Sequence, residues 1–299
     1  MNLIEKFYAA KRSARLGGIA AAVVLLAALP ASAQQPKPWQ MNLQEPHSSL
    51  MEQLVEFHDF LLYLIFAISL FVVGLMLYTI VRFNEKRNPN PSKTTHNTLL
   101  EVTWSVLPIF LLVVIGLFSL PLLYRADDTV NADLTIKVIG RQWYWSYEYP
   151  DHGDFTFDAF MIEDDEIKEG QLRLLSTDEN LVLPIGKKIR VLVTSSDVLH
   201  AFAMPALGSK IDAVPGRTNE IWFDIDEPGM YYGQCSELCG SRHAFMPIAI
   251  QAVTQAEFDA WVVDARKRYA GADEELTPRP VKYARNDAPV GAVSSAGAR

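Results

Sequence analysis

Both cysteines of this 299-residue chain fall in one stretch, "GQCSELCGSRHAFMP" at 233–247, as Cys235 and Cys239, with His243 and Met246 close behind. Thiolate, imidazole and thioether are soft or borderline ligands, so a set that combines them suits copper far better than magnesium or calcium. One Cys with His and Met is the recipe of a single-copper electron carrier. Two thiolates on a turn bounded by Gly233 and Gly240 allow two ions to be bridged, and such a site asks for a second imidazole. His200 is the candidate, because it follows "VLVTSSDVL", at the end of a predicted strand where a loop presents it. His47, His58, His96 and His152 stand in membrane-flanking or turn segments and read as ordinary polar side chains. Two other readings of the cysteine pair are open, a structural disulfide in an oxidising compartment and a dithiol redox couple. Neither requires His243 and Met246 at set intervals, and zinc gains nothing from the methionine, so the donor set favours copper.

A rigid frame must hold these side chains, and residues 127–270 carry the pattern of one. "LTIKVI" (134–139) and "KIRVLVTS" (188–195) alternate with period two, and "NEIWFDI" (219–225), "MYYG" (230–233) and "PIAIQAV" (247–253) are short apolar-aromatic runs. Pro- and Gly-bearing turns at 150–153, 184–186, 215–216 and 228–229 separate them. Many short strands with such punctuation predict an all-β sandwich or barrel. One helix closes the domain: Thr254 and Glu257 form a capping box, and Phe258, Trp261, Val262 and Ala265 make a packing stripe. The stretch 271–299, rich in Ala, Pro, Gly and charge, reads as a disordered tail.

Ahead of this domain lie two uncharged runs, "FLLYLIFAISLFVVGLMLYTI" at 60–80 and "VLPIFLLVVIGLFSLPLLY" at 106–124. Each is long enough to cross a hydrocarbon core of about 30 Å as a helix, which predicts transmembrane helices over 57–82 and 99–124. The loop between them, 83–98, carries Lys86, Arg87 and Lys93, with Arg82 beside it, against the single acid Glu85. The positive-inside rule puts that loop in the cytoplasm and both flanks outside. Residues 1–33 agree. Lys6, Lys11, Arg12 and Arg15 precede an apolar run at 17–29 that is short for a span, and "ASA" at 31–33 fits a cleavage site, so 1–33 reads as a signal peptide. The expected organisation is an exported segment over 34–56, a two-helix hairpin, and an exported domain over 127–270.

Net charge is −8 for the chain, and residues 127–270 hold 24 acidic against 13 basic side chains, a net of −11. That balance excludes a nucleic-acid binder, which needs positive charge against phosphate. It fits a solvated surface or a dock for a basic partner.

Several stretches together resemble subunit II of the haem-copper cytochrome c oxidases, bacterial type. "DVLH" at 197–200 and "YYGQCSELCGSRHAFMPI" at 231–248 are similar to that family's binuclear copper A motif. "GRQWYWSYEY" at 140–149 is similar to its aromatic signature, and "DAVPGR" (212–217) and "EVTWSVLP" (101–108) match as well. The resemblance covers about 45–265 and implies a cupredoxin-like β-domain on a transmembrane hairpin, anchored in the bacterial inner membrane with the domain in the periplasm. It implies two copper ions bridged by Cys235 and Cys239, one bound by His200 and the other by His243. Met246 would be a weak ligand on one ion and the Glu237 carbonyl on the other, with the Glu237 carboxylate facing a magnesium shared with subunit I. Trp143 resembles the electron-entry residue. Glu148, Asp154, Asp178 and Asp197 fall at positions of the acidic face that docks cytochrome c, and Glu101 at the mouth of a proton-uptake path in subunit I. Implied partners are cytochrome c, subunit I and further oxidase subunits, and membrane lipid. The family often has Trp where this chain has Phe202, which touches no ligand. The alternative function is a membrane-anchored copper chaperone or thiol redox protein for oxidase assembly, expected on an α/β domain.

Overall fold

The computed structural model describes residues 34–269. The expected signal peptide (1–33) and tail (271–299) lie outside the described residues.

Two long helices come first, α1 at Ser49–Arg82 and α2 at Thr98–Ala126, each long and apolar enough to cross a membrane. They pack against each other through contacts such as Phe60 on Phe118, ring centroids 5.4 Å apart. Hydropathy placed the start of α1 at 57, but the helix begins at Ser49. Ser48 caps it by accepting a hydrogen bond from the Met51 N–H, and Glu52 in the first turn suits the positive end of the helix dipole. Those first two turns mix Ser49, Glu52, Gln53 and Glu56 with Leu50, Met51, Leu54 and Val55, so they fall outside an uncharged apolar run. Likewise α2 starts one residue before the expected 99, at an Asn97 cap, and runs two beyond 124.

The β-domain is a sandwich of two five-stranded sheets, so the all-β expectation holds. Its strands are β1 (Leu134–Arg141), β2 (Tyr144–Tyr149), β3 (Phe155–Ala159), β4 (Leu181–Pro184), β5 (Ile189–Ser195), β6 (His200–Met204), β7 (Ser209–Ala213), β8 (Asn219–Phe223), β9 (Gly229–Cys235) and β10 (Pro247–Val253). One sheet runs β3-β2-β1-β5-β8 and the other β4-β10-β9-β6-β7. Most neighbours are antiparallel; β1–β5 and β4–β10 are parallel. Ile136, Val138, Val191 and Val193 from one sheet and Phe202, Tyr231, Ile248 and Ile250 from the other fill the core between them. The closing helix, α3 (Gln255–Tyr269), carries the expected capping box: Glu257 accepts from both the backbone N–H and the hydroxyl of Thr254. Its Phe258, Val262 and Ala265 are buried as expected, and Trp261 packs at a tilt on Tyr149 and edge-on against Phe155.

Hairpin and sandwich are joined by a set of hydrogen bonds. The Ser48 hydroxyl donates to the Leu207 carbonyl and the Ser49 N–H donates to Asp224, while within the hairpin the Arg125 guanidinium donates to the Ser49 hydroxyl. From the sandwich side, the Trp222 indole donates to the Arg125 carbonyl at 2.8 Å. The segment 34–48 runs back over the sandwich, pairing Gln34 with Tyr231. It buries His47, whose backbone bonds Ala206 and Asp226. His47 is therefore a packed residue of this strap, against its expected place among ordinary polar side chains.

Candidate metal centre

The donor residues come from two neighbouring strands and the loop that joins the second to its hairpin partner. β6 and β9 pair through Phe202 and Cys235, and the Ser236 N–H continues the pairing to the Ala201 carbonyl. His200 is thus the first residue of β6, not the end of β5 as the sequence pattern placed it, and Cys235 is the last of β9. The following loop turns at Gly240, whose φ of +122° is a backbone region L side chains rarely adopt. It passes through a short 3₁₀ turn at His243–Phe245 and delivers Met246 next to β10.

These side chains converge. Cys235 Sγ and Cys239 Sγ lie 3.8 Å apart, and both cysteines are free. His200 Nδ1 stands 3.9 Å from Cys235 Sγ, His243 Nδ1 3.5 Å from Cys239 Sγ, and Met246 Sδ 3.5 Å from Cys239 Sγ. The Glu237 carbonyl is 3.3 Å from Cys235 Sγ. His200, Cys235, Cys239 and Met246 are buried, and the ligand atoms of the first three all fall within 4.8 Å of one another. A metal–thiolate bond is about 2.3 Å for a borderline ion, so a sulfur pair at this separation can be touched by one ion from either side. The residues fit copper by donor type, by burial and by spacing.

Protonation points the same way. Burial raises the Cys235 thiol, but hydrogen bonds with His200 and the Glu237 and Ala201 backbone outweigh it and bring the thiol down to about 7. Burial and then the charge of Cys235 push Cys239 up to about 12. The pair by itself holds one negative charge comfortably; a second thiolate requires a cation. Burial lowers the basicity of His200, but hydrogen bonds to Cys235 and Asp197 more than reverse this and raise its pKa.

Asp197, expected on a docking face, accepts a hydrogen bond from His200 Nε2 at 2.9 Å and others from the Gln142 and Val198 N–H groups. It therefore fixes the imidazole so that Nδ1 faces the sulfurs, the usual partnership of a metal-ligating histidine with a carboxylate. Trp143 is half-buried at the rim. Its indole N–H donates to the Cys239 carbonyl at 3.2 Å, and the Gln142 amide donates to the same oxygen at 2.9 Å. Trp145 is fully buried and its indole donates to the Met246 carbonyl, which makes it a positioning residue for that loop. The other acids are scattered. Glu148 is ion-paired to Lys137 at 2.7 Å. Asp178 is exposed and accepts from the Phe160 N–H, and Phe160 stacks on Tyr144 beside Trp143. Asp154 follows the β2–β3 turn, at the opposite end of β2 from Trp143, roughly 20 Å along the strand. Asp158, which sequence reasoning passed over, lies nearer Trp143, bonded to the Ser146 hydroxyl. Glu101 accepts from the Asn97 N–H at the start of α2, a capping contact.

Gly140 and Gln142 were also missed as site residues. A Cβ at Gly140 would sit 2.8 Å from the His200 ring, so only glycine lets β1 pass beneath that ligand. A glycine inside a strand pattern is itself a signal of close approach. Gly140→Ala is expected to displace His200, to lower metal affinity about 10- to 100-fold, the range for residues that orient a ligand, and to leave the sandwich folded. Metal titration of the variant checks this, with circular dichroism as the folding control.

Comparisons with known proteins agree with this architecture. Residues 134–253 match the family described as cytochrome c oxidase subunit II, periplasmic domain, and residues 36–122 match the transmembrane domain of the same subunit. A probable cytochrome c oxidase subunit 2 of Rickettsia bellii is 52% identical over 241 residues, covering 81% of this chain and 90% of that protein. Cytochrome c oxidase subunit 2 of Oenothera berteroana is 42% identical over 232 residues, covering 76% and 90%. Among solved structures, the periplasmic domain of subunit II of the Bradyrhizobium japonicum cytochrome oxidase is 57% identical over 47% of this chain and 99% of that one, with a TM-score of 0.45. With two apolar helices, a β-sandwich and a buried His/Cys/Cys cluster compatible with copper A, the chain belongs to the cytochrome c oxidase subunit II family.

Proposed function

We propose that this chain is the electron-entry subunit of a cytochrome c oxidase, taking electrons from cytochrome c and passing them to haem in subunit I, where dioxygen is reduced to water with proton pumping. The observation that carries the reading is the convergence of His200, Cys235, Cys239, His243 and Met246 in one cluster, most of it buried, in a member of this family. Two copper ions bound there would accept and release one electron at a time. The protein's own residues do the rest. Cys235 and Cys239 would hold the copper through their sulfurs, and His200 and His243 through Nδ1. Met246 Sδ and the Glu237 carbonyl stand as weak ligands. Asp197 and Gly140 hold the His200 ring in place, and the core of the sandwich excludes water. Trp143, half exposed and bonded to the Cys239 carbonyl, is the entry point from the donor. Glu237 offers its carboxylate to a magnesium shared with subunit I. Glu101 stands at the mouth of a proton-uptake path in subunit I.

The proposed organisation keeps the expected topology, with residues 1–33 removed as a signal peptide, the 83–98 loop in the cytoplasm and the β-domain in the periplasm of a bacterial inner membrane. Asp178 and Asp158 beside the Trp143 rim, within a domain of net charge −11, favour a basic donor. Association with a basic cytochrome c is expected to slow about tenfold or more as salt rises from low to several hundred millimolar. Stopped-flow mixing over a salt series measures it, and a flat profile removes the steering role.

The direct test is metal content. Copper-loaded oxidase subunit should bind two copper ions per chain and, with one electron shared, show a mixed-valence spin signal spread over both nuclei. One copper per chain with a single-ion signal would refute the reading.

A further inference from the structure

The ends of α1 and α2 nearest the sandwich flank a half-open cavity of about 470 Å³. Glu56, Phe57 and Phe60 of α1 line one side, and Phe118, Leu122 and Arg125 of α2 the other. At a rise of 1.5 Å per residue, Glu56 lies about 10 Å down α1 from Ser49 and Phe60 about 6 Å further. The Arg125 guanidinium reaches Ser49 and so lies nearer the sandwich than Glu56; with α1 and α2 read as spans, both charges lie toward the headgroups and the aromatic rings toward the hydrocarbon. Glu56 is exposed and makes no ion pair or side-chain hydrogen bond among the described residues. Arg125 spends one guanidinium N–H on the Ser49 hydroxyl and, among the described residues, faces no carboxylate within ion-pair distance. An acid and a base thus line one cavity without pairing with each other, above an apolar floor.

From this we propose that the cavity is a binding site for a zwitterionic phospholipid with a primary ammonium, such as phosphatidylethanolamine. The phosphate takes the free N–H groups of Arg125, the ethanolamine arm turns inward along α1 so that its ammonium meets the deeper Glu56 carboxylate, and one acyl chain lies between Phe57 and Phe60 on one side and Phe118 and Leu122 on the other. An apolar helix of another subunit offers neither an anion to Arg125 nor a cation to Glu56. An anionic glycerol headgroup satisfies Arg125 but brings no cation to Glu56. The proposal rests on the reading of α1 and α2 as membrane spans.

The test uses the intact oxidase in membranes that contain both phosphatidylethanolamine and phosphatidylglycerol, with p-benzoylphenylalanine in place of Phe118. After irradiation, mass spectrometry of the subunit should find lipid adducts, with phosphatidylethanolamine favoured over its share of the membrane. Glu56→Gln should lower that preference about fivefold, the effect of losing one exposed ion pair, while Glu56→Asp should largely keep it. Adducts to another subunit, a preference for phosphatidylglycerol, or no change with Glu56→Gln would each overturn the site. Alkaline carbonate extraction of the same membranes tests the spans separately, since an integral chain stays in the pellet whichever adducts form.

Discussion

Replacing Cys235 by serine is expected to abolish the shared copper centre. A serine oxygen is a hard, poorly bridging donor where the site needs a soft thiolate. Cys235 is also the hub of the cluster, in contact with His200, Cys239 and the Glu237 carbonyl. Copper content should fall from two ions to one or none, the mixed-valence spin signal should disappear, and electron transfer from cytochrome c should be lost with it. The fold should survive, because Cys235 ends a strand whose other residues are held by β10 and β6. Burying a hydroxyl in place of the thiol should cost about 1–2 kcal/mol of apo-domain stability. Thermal melting separates that modest loss from the complete loss of metal. A Cys235→Ser variant that keeps both ions and the shared signal would exclude bridging by this sulfur.

The second large effect is expected at Trp143. Trp143→Gln should leave copper content, spin spectrum and affinity for cytochrome c nearly unchanged, while the pre-steady-state rate of electron transfer falls by orders of magnitude. The geometry supports this separation. Trp143 stands at the rim, and its only side-chain hydrogen bond among the described residues goes to the Cys239 carbonyl, which Gln142 also holds. The metal loop therefore keeps one of its two ties. Trp145 is not a neutral control, because its indole holds the Met246 carbonyl from within the core and Trp145→Phe would disturb the loop itself. Tyr144→Phe, which keeps the stack on Phe160, is the better comparison. If Trp143→Gln strips the copper or unfolds the domain, Trp143 is a structural residue; if transfer stays fast with all else intact, the electron enters elsewhere.

What the sequence showed depended on whether the signal was local. The two spans were legible because a lipid-facing helix must be apolar all round, and no soluble surface mimics runs of that length. β1, β5 and β10 were legible through alternation or apolar runs bounded by turns. β4 ("LVLP") and β6 ("HAFAM") were not, because every residue in them is buried and a short all-buried strand has no alternation to read. β7 ("SKIDA") is polar and partly exposed, so it looked like loop. β3 ("FTFDA") does alternate and was simply passed over. At the site, the donor set announced itself by residue type within one loop. The roles of Gly140, Gln142 and Asp197 did not, because they arise from the parallel pairing of β1 with β5. That pairing sets Gly140 beside Ser195 and so under the start of β6, far away in sequence.

The bonds that tie Ser48, Ser49 and Arg125 to the sandwich bear on how fast the subunit can work. A domain on a slack tether would have to search for its acceptor on every turnover, with the effective concentration falling as the tether lengthened. Here the first helix is capped inside the domain and the second ends on the Trp222 indole, so both chain crossings are clamped. The orientational entropy of presenting the metal centre to an acceptor in the membrane is spent once, at assembly, and not again with each electron. A domain cut free at residue 127 would retain its fold and its metal ligands yet meet the same acceptor only by diffusion, as a second-order reaction.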